Sequence, residues 1–96
     1  PASDAKDYAR RCAINAIAAA GALVGGVDKL TGVLRVTGFV AADPAFTAIP
    51  GVINGASELL GEVFGEAGAH ARSAVGVAVL PLDSPVEVEV IFEFAG

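Results

Sequence analysis

The stretch His70-Ala-Arg72-Ser-Ala-Val-Gly-Val-Ala-Val-Leu-Pro81, followed by Val86-Glu-Val-Glu-Val-Ile-Phe-Glu-Phe94, decides the fold. Residues 74–80 are apolar or small without a break, which predicts a strand covered on both faces. Leu80-Pro-Leu-Asp-Ser-Pro85 holds two prolines, an Asp and a Ser, which predicts a turn. Residues 86–94 then alternate: Val86, Val88, Val90, Phe92 and Phe94 point one way, and Glu87, Glu89, Ile91 and Glu93 the other. An arginine opens the first strand and carboxylates line one face of the second. A site is therefore first sought where those charges meet.

Upstream, Val52, Ile53, Ala56, Leu59, Leu60, Val63 and Phe64 recur at i, i+3, i+4, i+7 and predict a helix entered through Pro50 and closed by Gly65 and Gly68. Before it, residues 43–50 read as a loop and Val33 to Ala42 as a strand ended by Asp43-Pro44. Val27 to Gly32 reads as another loop. The N-terminal segment is a helix to about Val24, with Ser3 as its cap and Asp4 in its first turn. Its apolar stripe is Tyr8, Cys12, Ala16, Ala19, Ala20 and Leu23, with Arg10 and Arg11 at the edge and Gly21, Gly25 and Gly26 ending it. The small apolar run from Ala13 to Ala22 predicts cover on more than one side. The order is helix, strand, helix, strand, strand. The strand-helix-strand part predicts a right-handed crossover with parallel strands, and the last two strands an antiparallel connection. This is an α+β fold with two helices on one face of a mixed sheet. Three strands are few for two long helices, as though something is missing before the first helix.

Ninety-six residues predict one domain, 1–96. Hydrophobic residues make up 54% of the chain and charged ones 18%, more apolar than so small a surface-rich protein needs. No run approaches the roughly 18 apolar residues of a membrane span, so the excess is assigned to a subunit interface in a closed homo-oligomer. A net charge of −5 with six Lys and Arg argues against nucleic acid and against an anionic membrane surface. The single cysteine, Cys12, excludes an internal disulfide and a multi-cysteine metal site, and fits a reducing cytoplasm. No signal peptide is visible, and Pro1 in place of Met reads as the start of a processed, cleaved or trimmed product.

Arg72, in a chain with little positive charge, needs a partner if partly buried. That partner is either a nearby Glu or the carboxylate of a substrate, which a guanidinium fork holds at two points. Glu87, Glu89 and Glu93 form either a solvated face or, for Glu87, a group that orients water at a cleft; spacing does not separate Glu87 from Glu89. His70 stands two residues before Arg72, on the same side of an extended chain. Asn54 falls in the first turn of the second helix, where helix-end hydrogen bonding competes with a site role. Cys12 reads as a small core hydrophobe. The sequence holds no metal constellation, no second histidine for a nucleophile–base pair and no glycine spacing for phosphate. No cofactor is expected.

Ala71-Arg-Ser-Ala-Val-Gly-Val-Ala-Val-Leu-Pro81, a short turn and Val86-Glu-Val-Glu-Val90 resemble the C-terminal signature of the YjgF/RidA (Rid) family. Ala9-Arg-Arg-Cys-Ala-Ile-Asn-Ala16, Thr37-Gly-Phe-Val40 and Asn54-Gly-Ala-Ser-Glu-Leu-Leu60 fit as well, so the likeness covers nearly the whole chain. With Phe64-Gly-Glu-Ala-Gly-Ala-His-Ala-Arg72, the pattern resembles a less studied branch. The resemblance implies a chorismate-mutase-like fold and a barrel-like homotrimer with clefts between subunits. It implies hydrolysis of reactive enamines and imines, such as 2-aminoacrylate, to 2-keto acids and ammonia. In that setting Arg72 matches the residue that holds the substrate carboxylate, Glu87 matches the one that positions water, and Asn54 lies near the same cleft. His70 is added as a further substrate-binding candidate. Family members begin with a strand hairpin that this chain lacks, so it reads as a fragment or as a chain whose missing strands come from a separate segment. The cysteine that many members carry two residues after the arginine is here Ala74. Two other readings stand beside the deaminase: a non-catalytic trimer that binds small carboxylates, and a ribonuclease, which the acidic balance disfavours.

Overall fold

The computed structural model describes residues 2–43 and 45–95, with side chains from residue 4 onward. Helix α1 (Ala2–Val24) is followed by strand β1 (Leu30–Ala41), helix α2 (Ile49–Phe64), strand β2 (Ala71–Val77) and strand β3 (Val86–Phe94). Both helices lie on one face of the sheet, α1 over β3 and α2 over β1 and β2. This is the expected α+β arrangement. Ser3 falls inside the first turn of α1 rather than at its cap, and its side chain is outside the described residues, as is Pro44. Asp4 sits in the first turn, where its charge meets the positive end of the helix dipole.

The sheet order is β2-β1-β3. β1 runs parallel to β2, as the helical crossover demands, and antiparallel to β3. The last two strands therefore do not pair with each other: β1 lies between them. β1 starts at Leu30, ahead of the expected Val33, because Leu30-Thr-Gly32 still pairs with β3 around a register irregularity. β2 ends at Val77, so the second half of the apolar run 74–80 leaves the sheet. β2 is an edge strand and is not covered on both faces; Val75 is 42% exposed. An unbroken apolar run reports a strand free of charge, not how many neighbours it has.

Val36, Val52, Ile53 and Leu60 are fully buried. Each such side chain contributes about 1.5–3 kcal/mol relative to exposure. Gly38 leaves room on β1 for Ile53, which occupies the space a β-carbon would take. The stripe of α2 lands as its period requires from Val52 through Ile53, Ala56, Leu59 and Leu60, but not in its last turn, where Val63 is exposed. That of α1 is turned by about one position from the expectation. Ala9, Ala13 and Ile17 are buried, whereas Tyr8 is 47% and Leu23 87% exposed. The cause is α2: Gly55 packs against the Lys6 backbone, and so close an approach admits only small side chains at the seam. The outer side of α1, including Ile14 and Ala18, faces solvent in this chain, not a second layer. Gly65, at φ 61°, ends α2 in a left-handed conformation that suits glycine. No helix among the described residues is long and apolar enough to cross a membrane.

Candidate functional site

Arg72 is the second residue of β2 and stands opposite Val36 of β1, whose side chain points into the core. In register, the guanidinium therefore leaves the sheet on the helix side, at the free edge, beneath α2. Its Nη1 donates to Asn54 Oδ1 at 2.7 Å and to Ser57 Oγ at 3.2 Å. Asn54 and Ser57 are three apart on α2, hence on one face. Asn54 lies in the second turn, not the first, since the helix begins at Ile49. Its side chain caps nothing and is spent on the arginine.

His70 precedes β2 and joins the same cluster. Its Nδ1 lies 2.6 Å from the Gly68 carbonyl oxygen and its Nε2 3.0 Å from Ser57 Oγ. A carbonyl oxygen can only accept, so Nδ1 carries a proton and donates. In the neutral ring Nε2 then holds the lone pair and accepts from the Ser57 hydroxyl. Ser57 in turn accepts from Arg72. All four side chains are partly buried. Ser57 is the member that sequence reading overlooked; its signal was the Asn54–Ser57 spacing of three on the apolar-striped helix.

The charge arrangement sets Arg72 apart. Among the described residues, Lys6 pairs with Glu58 at 3.2 Å and Arg10 with Glu62 at 2.9 Å, both in the open. The Glu62 hydrogen bond and charge raise the Arg10 guanidinium further above its ordinary range. Arg72 has no carboxylate partner among the described residues, only neutral oxygens on Nη1. Its Nε and Nη2 edge has no hydrogen-bond acceptor among them either. That edge is the planar fork that binds a carboxylate at two points. An open groove of about 1000 Å³ follows the same inward row of β2, along Ala74 and Gly76, beneath Ile49 and Pro50 of α2.

Glu87 is elsewhere. It stands opposite Phe39 on the outer face of the sheet, exposed, and β3 is the other edge strand. Two strand spacings, about 9–10 Å, and the thickness of the sheet separate it from Arg72 within one chain. Arg72 and the carboxylates of β3 therefore do not meet within one chain. Glu89 and Glu93 are exposed as well. Ser73, next to Arg72, points to the outer face and accepts from Arg35 Nη2 at 2.6 Å. Cys12 packs against the core beneath Val86; burial, and secondly the Glu87 charge, push its thiol above the ordinary range. No three His, Cys, Asp or Glu side chains among the described residues gather as a metal site.

A family model described as "YjgF/chorismate_mutase-like, putative endoribonuclease" matches residues 2–95. Protein TCP17 of Trypanosoma cruzi is 44% identical over 86 residues, 88% of this chain and 54% of that protein. The crystal structure of Atu1372 from Agrobacterium tumefaciens, described as of unknown function, superposes with a TM-score of 0.94 at 42% identity, over 100% of this chain and 62% of that one. A "putative endoribonuclease" from Shewanella oneidensis superposes with a TM-score of 0.92 at 31% identity, over 98% and 62%. The chain thus spans between about half and two thirds of the length of these relatives.

Proposed function

The chain belongs to the YjgF/chorismate-mutase-like family, and from that premise we propose that Arg72 receives the carboxylate of a small imino or enamino acid, hydrolysed to a 2-keto acid and ammonia in the cytoplasm. The observation that carries this reading is the free Nε and Nη2 edge of a partly buried guanidinium already anchored by Asn54 and Ser57. A fixed fork costs little further order on binding and is worth about 1.5–3 kcal/mol for a charge-assisted pair. The chemistry asked of the site is modest. The imine carbon is already electrophilic, and holding it beside a water supplies much of the barrier reduction.

Glu87 fits this scheme as the water-positioning group only if it arrives from a second copy, across a subunit boundary. The family resemblance implies such a homotrimer, and the outer sheet face suits an interface. Leu34 is 52% and Ile91 49% exposed there or beside it, together with Val75. A segment outside this chain that adds strands to the free edge of β2 is compatible with the same surface. The placement of Glu87 away from Arg72 within one protomer also favours a second reading, a trimer that binds small carboxylates without turning them over. The description putative endoribonuclease is carried by the family model and by one solved relative; in this chain a net charge of −5 opposes polyanion binding.

The deciding assay couples an amino-acid oxidase, which releases 2-imino acid, to keto-acid detection. Acceleration over buffer, lost in Arg72→Ala, supports the deaminase. Pyruvate binding without acceleration supports the carboxylate binder. Neither binding nor acceleration by folded protein rejects both.

A further inference from the structure

Beside the Asn54 amide oxygen at 2.7 Å, the group on Arg72 that can pass a proton within one chain is not a glutamate. It is the Ser57 hydroxyl, 3.2 Å from the guanidinium and 3.0 Å from His70 Nε2. The ring is fixed by the 2.6 Å bond from Nδ1–H to the Gly68 carbonyl, which leaves the Nε2 lone pair aimed at Ser57. This is a donor–base–orienter chain of the kind that activates a hydroxyl or a water. Its orienting group is a backbone carbonyl at the end of the short turn Gly65–Gly68, so the sequence shows no third side chain to search for. Gly68 itself lies against the Leu60 carbonyl, where a β-carbon would be 2.5 Å away, so the turn is packed onto α2, the helix that carries Ser57.

We propose that Ser57 and His70 form the proton-transfer pair of this site, serving a water that adds to an imino acid whose carboxylate rests on Arg72; the inference rests on the carboxylate reading of Arg72. The water oxygen bonds to the carbon of the protonated imine, and the C=N electron pair withdraws to nitrogen. The water's proton passes to Ser57 as the Ser57 proton passes to His70 Nε2, giving an uncharged carbinolamine and an imidazolium. The imidazolium then returns its proton through Ser57 to the amine nitrogen. The C–N bond breaks, the hydroxyl oxygen closes the carbonyl, and its proton leaves with ammonia as ammonium. Atoms and charge balance with water as the only co-reactant. Arg72 orients the substrate and is itself kept in place by Asn54, so the relay and the anchor are separable: the 2.7 Å bond from Nη1 to Asn54 involves neither Ser57 nor His70.

The test measures keto-acid formation from oxidase-generated imino acid, pyruvate affinity by calorimetry, and rescue by free imidazole. His70→Ala is expected to lower the rate by about 100-fold or more, with pyruvate affinity within about threefold and partial recovery in imidazole. Ser57→Ala is expected to lose a similar factor without recovery. His70→Gln, whose amide N–H can still donate to the Gly68 carbonyl but which has no basic nitrogen to take up a proton, guards against a folding defect and should be as slow as His70→Ala. A rate within about threefold of wild type in folded His70→Gln overturns the proposal, as does a loss that tracks weakened pyruvate binding and ignores imidazole. An inactive wild-type protein rejects the deaminase reading itself, whereas an active wild type with a normal His70→Gln rejects the relay alone.

Discussion

Gly55→Ala and Gly61→Ala, two substitutions in one helix, should move stability in opposite directions. In an exposed helix interior Gly→Ala gains about 1 kcal/mol from backbone entropy alone. At Gly61 a β-carbon would meet nothing within 4 Å, so the full gain should appear. At Gly55 the β-carbon would overlap the carbonyl of Lys6, which is backbone of α1 and cannot rotate away. α1 would have to lift off α2, opening the seam around the buried Ala9, Ala13 and Ala56. Overpacking of this kind costs about 1–3 kcal/mol and more where backbone must shift. With the cost at the upper end, about 3 kcal/mol, because backbone must shift, the net loss after the propensity gain should be about 2 kcal/mol. For a domain of this size 1 kcal/mol corresponds to roughly 4–8 °C in Tm, so the two variants should lie about 12–24 °C apart, on either side of wild type. Urea titration at 25 °C and a thermal scan by circular dichroism measure both. Gly55→Ala at or above wild type refutes the close helix seam, and with it the explanation of the stripe on α1. Gly61→Ala below wild type refutes the open surface at that turn.

Two further outcomes follow from the site. Arg72→Lys replaces a planar fork with a point charge and loses the two bonds to Asn54 and Ser57; calorimetry should register a pyruvate affinity at least 10-fold weaker, and unchanged affinity would remove the fork from the argument. Cys12, with its thiol raised first by burial and then by Glu87, should alkylate with iodoacetamide more slowly than free cysteine near neutral pH, and Glu87→Gln should speed it. Because the raised value belongs to the folded state, that contribution to stability is complete below the unfolded thiol's range and is lost as pH rises through the folded one. Cys12→Ala should flatten that alkaline decline in urea titrations.

Much of this fold was legible because period and size agree. On α2 the large residues Val52, Ile53, Leu59 and Leu60 repeat at helical spacing and are the ones buried. On β3 the valines face α1 and the glutamates face out. The reading slipped where size and burial part company. In the alanine-rich α1, attention goes to Tyr8 and Leu23, whereas the seam with Gly55 selects Ala9 and Ala13. The apolar run predicts a β2 covered on both faces, because nothing in such a run records which strand lies beside it. The same limit applied to the site. Arg72, His70 and Asn54 stand out by type and do come together, but Ser57 is an ordinary helix serine until the register of β2 brings Arg72 beneath it. The faces of Arg72 and Glu87 follow from the pairing of β2 and β3 with β1, which is tertiary information.

That register makes a quantitative statement about assembly. If turnover uses Arg72 and Glu87 together, the sheet order β2-β1-β3 and their opposite faces require them to come from different copies. In a closed ring each boundary then combines the arginine of one subunit with the glutamate of the next. Arg72→Ala and Glu87→Gln proteins, each slow alone, should complement when unfolded and refolded together. In a random one-to-one mixture, one boundary in about four joins an intact arginine to an intact glutamate, given equal chance of either subunit at each position. About a quarter of the wild-type rate should return. A site built within one chain would restore nothing, since every subunit in the mixture lacks one of the two groups. No recovery in mixed oligomers confirmed by mass, with both proteins slow alone, would show that the two groups act within one chain, whereas a Glu87→Gln protein as fast as wild type would place Glu87 outside the chemistry. Recovery near a quarter would make the subunit boundary the place where water and carboxylate are held together.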